Sequence, residues 1–140
     1  MMRTTIVLLV GVAFVACGKQ EAGTDSDSPH DYRALALEFV TALAARDYSS
    51  AYAKTSNEFK QSMSVNELRL VFETIVPLDW EFGAIEVTEQ TLSSWPTKQP
   101  ADVGWAYVSI GGDVYSEAVT VVVTLEDGTL RIRKAEFGRP

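Results

Sequence analysis

The sequence predicts an α+β domain in which N-terminal helices pack on one face of a curved antiparallel sheet of about four strands. Apolar residues recur at helical spacing before Pro77 and alternate at strand spacing after it. A capping box ahead of Pro77 and an Asp-Gly turn signature near the C-terminus mark boundaries of the two kinds of element. We therefore expect helices first and strands second.

Two helices are predicted in the first part of this domain. Ser28 is the expected N-cap of the first, Pro29 its first residue, and Asp31 its third, where a carboxylate faces the positive end of the helix. Apolar side chains then form one stripe over three turns. Residues 48–53 are predicted to form a short second helix that brings two tyrosines to one face.

A third helix has the clearest start signal in the chain. Ser64 and Glu67 form a capping box, and Met63 and Leu68 are placed for the hydrophobic staple that accompanies it. Pro77 should end this helix, because proline lacks the amide hydrogen that a helix interior needs.

Four strands are predicted after Pro77. They fall around residues 80–87, 103–110, 118–125 and 130–137, with a loop over 93–101. Asp127-Gly128 predicts a tight hairpin between the last two. The alternation slips at Gly83–Ala84, which indicates a β-bulge, and it slips again before Ala135.

The residues before Cys17 have the pattern of a secretory signal peptide. Arg3 supplies the positive charge, and residues 6–15 form an apolar run that is shorter than the ~20 residues of a spanning helix. Val15-Ala16-Cys17 resembles the lipobox of bacterial lipoproteins, although Phe14 stands where Leu is usual in that family. The resemblance implies cleavage before Cys17 and lipid attachment to its thiol and its new amine. Two or more acyl chains anchor a protein stably to a membrane.

Composition divides the rest of the chain. Residues 17–28 carry no large apolar side chain and are predicted to be a flexible, lipidated tether. The expected organisation is therefore a signal peptide over residues 1–16, the tether over 17–28 and a single domain over 29–140. The formal net charge of −7 argues against nucleic acid as a partner. Gly18 follows the lipidation site instead of an inner-membrane retention Asp, and this favours the outer membrane in a cell that has one.

The domain also resembles the nuclear transport factor two-like (cystatin-like) group. Residues 36–60 look like the helical half of that cone-shaped fold, and residues 115–132 look like its closing hairpin. Members often carry Trp after the Asp-Gly turn, whereas this chain has Leu130. The resemblance implies a pocket between helices and sheet. Because members include enzymes and pure binding modules, function has to be argued from the site.

Three carboxylates are candidates for a polar pocket. Asp79 and Glu81 would share one face of a strand, with a solvated sheet edge as the alternative. Glu117 could point into the cone, or could form an ion pair with Arg131 or Arg133 across the hairpin.

Four aromatic residues of the sheet half are the other candidates. Trp80, Trp95, Trp105 and Tyr107 would either pack in the core over the helices or line an apolar pocket or surface patch, with Trp95 the best candidate for the surface. The sole histidine, His30, is expected to be a solvated residue at a helix start. One histidine and a lipidated cysteine leave no ligand set for a transition metal, and we expect no cofactor.

These features favour a membrane-anchored, exported binding or interaction domain of the cell envelope, whose partner is an envelope protein or a small apolar ligand. The alternative is an isomerase-like or dehydratase-like enzyme that uses Asp79, Glu81 or Glu117 with Tyr107. No catalytic motif favours the enzyme.

Overall fold

A computed structural model of the protein describes residues 31–88 and 94–139. The predicted α+β class is confirmed, with helices preceding a four-stranded antiparallel sheet. The helices are α1 (Tyr32–Ala44), α2 (Tyr48–Ala53), α3 (Asn57–Ser62) and α4 (Val65–Ile75); the strands are β1 (Ala84–Thr88), β2 (Asp102–Gly111), β3 (Ser116–Glu126) and β4 (Thr129–Phe137). These described residues include no helix with both the length and the apolar composition of a transmembrane span.

The start of α1 differs from the prediction. Asp31 is its N-cap, and the Asp31 carboxylate accepts hydrogen bonds from the amides of Arg33 and Ala34, both at 3.1 Å. The prediction that Asp31 occupies the third helical position is therefore wrong. The physical reason is that a carboxylate caps a helix as well as a serine hydroxyl does. Ser28 lies outside the described residues.

The capping box of α4 is confirmed. The Glu67 amide donates to the Ser64 hydroxyl oxygen at 3.3 Å, and the Ser64 amide donates to the Glu67 carboxylate at 2.7 Å. The helix ends at Ile75, with Val76 as the C-cap just before Pro77, as predicted. The short helix α3 was not predicted from the sequence.

The sheet is a simple meander with the strand order β1-β2-β3-β4. Its first strand begins at Ala84, so the prediction that Trp80 and Phe82 belong to a strand is wrong. The chain instead makes a turn after α4, in which the Trp80 amide donates to the Pro77 carbonyl at 3.1 Å. Strand pairing starts only when Gly83 donates to the Gly111 carbonyl at 2.7 Å. The slip predicted at Gly83–Ala84 is thus the end of a turn and no bulge.

Two register shifts interrupt the sheet elsewhere. The β3–β4 pairing passes from Val122–Lys134 to Val123–Ile132, which leaves Arg133 as an extra residue and confirms the predicted slip before Ala135. A second shift lies between Asp102 and Gly104 at the start of β2.

The core lies between the helices and one face of the sheet. Phe39 and Leu43 of α1, and Leu68 and Phe72 of α4, are fully buried there. The inner face of β2 consists of residues 104, 106, 108 and 110, whose burial alternates with half-exposed neighbours.

Trp105 and Tyr107 therefore lie on the opposite face of β2. The interpretation that places them in the core over the helices is wrong. The helix-facing position belongs to Gly104, where an added Cβ would lie 2.2 Å from the Tyr32 ring. The first turn of α1 thus covers a site that only glycine can occupy without displacing the ring.

Candidate functional site

A cavity lies where the end of α4 meets the β2–β3 hairpin. We call it the acidic groove, and its volume is about 680 Å³. Its lining combines apolar and acidic side chains from Ile75, Pro77, Asp79, Trp80, Glu81, Asp113, Val114, Tyr115 and Glu117.

Two turns form the walls of the acidic groove. The first follows α4 from Pro77 to Trp80, and the second is the hairpin tip, where the Gly112 amide donates to the Tyr115 carbonyl at 2.9 Å. Trp80 joins the two walls, because its ring lies 5.9 Å from that of Tyr115 in an edge-on contact and 5.7 Å from that of Phe82. The aromatic contacts thus fix the hairpin tip against the turn.

Gly112 permits this close approach. A Cβ at Gly112 would lie 2.3 Å from the indole Nε1 of Trp80 and 2.9 Å from the backbone oxygen of Glu81. The indole Nε1 is buried against the hairpin and has no hydrogen-bond partner among the described residues. The absence of a side chain at Gly112 therefore leaves the space that the Trp80 indole occupies.

The lining contains four carboxylates and no basic side chain. Glu117 lies 3.7 Å from the guanidinium of Arg139. The interpretation that Glu117 pairs with Arg131 or Arg133 is wrong, because Arg131 donates to the Ala53 carbonyl and Arg133 pairs elsewhere. The other three carboxylates have no basic partner within 4 Å in the described part of the chain.

Large apolar side chains stand exposed around the same groove. Val114 is 79% exposed, Tyr115 66% and Leu78, within the first turn, 72%. Residues of this kind at neighbouring turn tips mark surfaces that bind another molecule more often than isolated exposed residues do. The groove is thus both acidic and apolar.

The structure brings four of the predicted candidates together and separates the others. Asp79, Trp80, Glu81 and Glu117 all line the acidic groove. Tyr107 does not, because it lies on the outer face of β2, whereas Glu117 pairs with the inward-facing Ile110. The carboxylate–Tyr107 arrangement of the enzyme hypothesis is therefore not assembled. The sequence reasoning did not identify the hairpin-tip contributors Asp113 to Tyr115 as part of a site.

Trp95 is also placed differently from the prediction. Its side chain is only 8% exposed, so the expectation that it is a surface aromatic is wrong. The Lys98 ammonium lies 4.6 Å from the centre of its ring in a cation–π contact. The loop that carries Trp95 thus folds back on itself and covers the indole.

A buried ion pair, also unforeseen, anchors that loop. Arg133 Nε donates to Asp102 Oδ1 at 2.7 Å, and Arg133 Nη2 donates to Asp102 Oδ2 at 2.6 Å. Burial alone would raise the pKa of Asp102, but hydrogen bonds from Arg133 and the Gln99 amide outweigh it and hold the pKa below its usual value. Arg133 also donates to the Thr97 carbonyl at 3.1 Å, so the pair ties the loop to β4.

Both members of this pair sit at the register shifts of the sheet. Asp102 precedes the shift in β2, and Arg133 is the extra residue in β4. All the polar atoms of the Asp102 carboxylate have partners within the cluster, which is the arrangement of a structural pair. We therefore assign the Asp102–Arg133 pair a structural role.

Comparisons of the chain with protein-family models, with curated proteins and with solved structures returned no match. The described residues contain no group of three or more side chains that could hold a metal ion. Cys17 and His30 lie outside the described residues. The acidic groove is therefore the candidate functional site on the basis of its geometry alone.

Proposed function

We propose that this protein is an exported lipoprotein whose domain acts by binding a partner at the acidic groove. The observation that carries the binding role is the exposure of Leu78, Val114 and Tyr115 around a cavity with acidic walls. A catalytic carboxylate is usually buried beside a partner group that tunes it. The exposed carboxylates Asp79 and Asp113 fit a surface that recognises another molecule better than a reaction centre.

The lipid anchor is the second part of the proposal. It is supported by the leader and by the Val15-Ala16-Cys17 pattern. Acyl chains on Cys17 would hold the domain near a membrane surface through the tether of residues 17–28, with the outer membrane favoured in a cell that has two. The finer fold assignment, to the nuclear transport factor two-like group, is supported by the order of helices followed by an antiparallel meander.

The anchor is tested by fractionation and fatty-acid labelling. We expect the wild-type protein to enter the membrane fraction and to incorporate labelled palmitate, and Cys17→Ser to abolish incorporation. Since an uncleaved leader can itself retain a protein at a membrane, incorporation is the decisive measurement. Labelling of Cys17→Ser at the wild-type level would contradict the anchor.

The binding role is tested by site-specific photo-crosslinking in intact cells. A benzoylphenylalanine at position 115 places the reactive group at the groove, and the same residue at Thr129 is the control, because Thr129 is also exposed but is the first residue of β4, at the other end of the sheet. We expect a discrete adduct from position 115 only. Equal labelling at both positions, or none at position 115, would contradict a role for the groove.

A further inference from the structure

The carboxylates of the acidic groove form a set of like charges. Asp79 comes from the turn after α4, Glu81 from the segment between that turn and β1, Asp113 from the hairpin tip and Glu117 from the start of β3. Only Glu117 has a basic partner within 4 Å among the described residues, namely Arg139. Like charges that share a cavity repel each other, and a cation placed among them removes that repulsion.

One further cation lies behind the first wall of the groove. Arg46 donates to the carbonyls of Val76 and Pro77 at 3.1 and 2.8 Å, and its guanidinium lies 5.4 Å from the centre of the Phe72 ring. These contacts engage Arg46 with backbone oxygens and with an aromatic ring, on the helix side of the turn. The groove itself therefore presents an excess of negative charge to a ligand.

The apolar surface extends beyond the cavity. Leu78 stands next to Pro77 outside the lining, and Val71, which is 37% exposed, lies one helical turn before Ile75 on α4. Together with Val114 and Tyr115 these side chains form an apolar border on both walls. A ligand that filled only the cavity would leave this border in water.

We propose that the occupant of the acidic groove is a basic segment of a partner protein, in which Lys or Arg side chains alternate with large apolar ones. The cationic groups pair with Asp79, Glu81 and Asp113, and the apolar side chains cover Leu78, Val114 and Tyr115. This assignment rests on the proposed binding role of the groove and adds the chemistry of the partner. Anionic lipid headgroups and nucleic acid are disfavoured, because the carboxylates would repel their phosphates.

Synthetic peptides provide the probe. The full chain is reconstituted in phosphatidylcholine nanodiscs, and fluorescence anisotropy follows three labelled nonapeptides: one with alternating Lys and Leu, one with Gln in place of Lys, and one with Ser in place of Leu. We expect the Lys–Leu peptide to bind at least ~10-fold more tightly than either of the others, since only this peptide satisfies both features of the groove. Empty nanodiscs give the background.

Charge-removing variants locate the binding. The double variant Asp79→Asn with Asp113→Asn should weaken binding of the Lys–Leu peptide by about tenfold, because each exposed ion pair contributes a few-fold in affinity. Asp127→Asn, with Glu126→Gln, is the matched control: it removes the same charge from the end of β3 and the turn that follows it, at the opposite end of the sheet. Circular dichroism is used to check that each variant folds.

The outcomes separate this assignment from the binding role itself. Equal weakening by both double variants, or equal binding of the three peptides, overturns the assignment to a basic apolar segment. Full competition by spermidine at the concentration of the peptide also overturns it, in favour of a small amine. If position 115 gives a crosslink but any one of these three results is obtained, the groove remains a binding site for another ligand. The absence of that crosslink removes the binding role as well.

Discussion

The replacement of Asp102 by asparagine should destabilise the domain strongly, because Arg133 would then remain buried without its counter-charge. The Arg133 side chain is 5% exposed and that of Asp102 is 0% exposed, and two short hydrogen bonds join them. Removal of one partner from a buried pair costs about 3–5 kcal/mol. Glu58, whose carboxylate lies 3.4 Å from Arg133, offsets part of this loss, so we expect ~3 kcal/mol.

Urea unfolding at neutral pH measures this change. With a slope of about 2 kcal/mol per molar urea, ~3 kcal/mol lowers the midpoint by about 1.5 M. The single variants Asp102→Leu and Arg133→Met and the double variant Asp102→Leu with Arg133→Met complete a double-mutant cycle. We expect the double variant to be within about 1 kcal/mol of wild type, because an apolar pair leaves no buried charge.

The size of the coupling decides the interpretation. A coupling energy of at least ~1.5 kcal/mol is expected for groups that act as a unit. If Asp102→Asn costs less than about 1 kcal/mol, or if the two single losses add up to that of the double variant, the pair does not anchor the loop and the reasoning is refuted. A drop in the urea slope would indicate a partly unfolded native state.

Three further outcomes follow from other contacts. Because the pKa of Asp102 in the folded protein is lowered from 3.8, the stability that its carboxylate contributes should be complete above pH 3.8 and should fall as the pH drops through the lower folded value. The stabilities of wild type and Asp102→Asn should therefore converge only in strong acid, as measured by urea midpoints from about pH 6 to pH 2. Gly104→Ala should lower the stability of the domain by about 1–3 kcal/mol, measured by thermal unfolding, because the added Cβ would collide with the Tyr32 ring. An unchanged Tm would contradict that packing. Ser56→Ala should cost ~1 kcal/mol, since the buried Ser56 hydroxyl accepts the Phe59 amide at 3.1 Å and caps α3; no change in stability would show that α3 does not depend on its cap.

Local signals in the sequence predicted the elements whose ends are fixed locally. The capping box of α4 needs only Ser64 and Glu67, and Pro77 ends the helix by its own chemistry. The turn at Asp127-Gly128 likewise depends on two residues, both of which have positive φ in the structure. Each of these signals consists of residues that are close in the chain, so it can be recognised in the sequence without knowledge of the fold.

Elements that depend on tertiary contacts were not predicted. The helix α3 has only six residues, too few for a clear apolar period, and its N-cap Ser56 is held by donation of its amide to the Ile132 carbonyl of β4. The Asp102–Arg133 pair has the same character, because two register shifts bring its members together from different strands. No local pattern specifies contacts of that range.

The faces of β2 show a different limit. Both of its alternating sets are largely apolar, one with Trp105 and Tyr107 and the other with Gly104 and small or branched residues. Periodicity separates the two sets but does not say which set meets the helices. Volume decides: the ring of Tyr32 occupies the space over Gly104, so the set that contains glycine faces inward and the large aromatics face outward.

The acidic groove depends on strand register in the same way. Its two walls are turns that the sequence signals separately, through Pro77 and through Gly111-Gly112. They meet because Ala84 of β1 pairs with Gly111 of β2, which sets the residues just before β1 beside the hairpin tip. A shift of that register by one residue would turn every β1 side chain to the other face of the sheet and would separate Trp80 from Gly112. The position of the groove is therefore a property of the β1–β2 pairing, and the same pairing makes the close contact between Trp80 and Gly112 the point on which the shape of the groove depends.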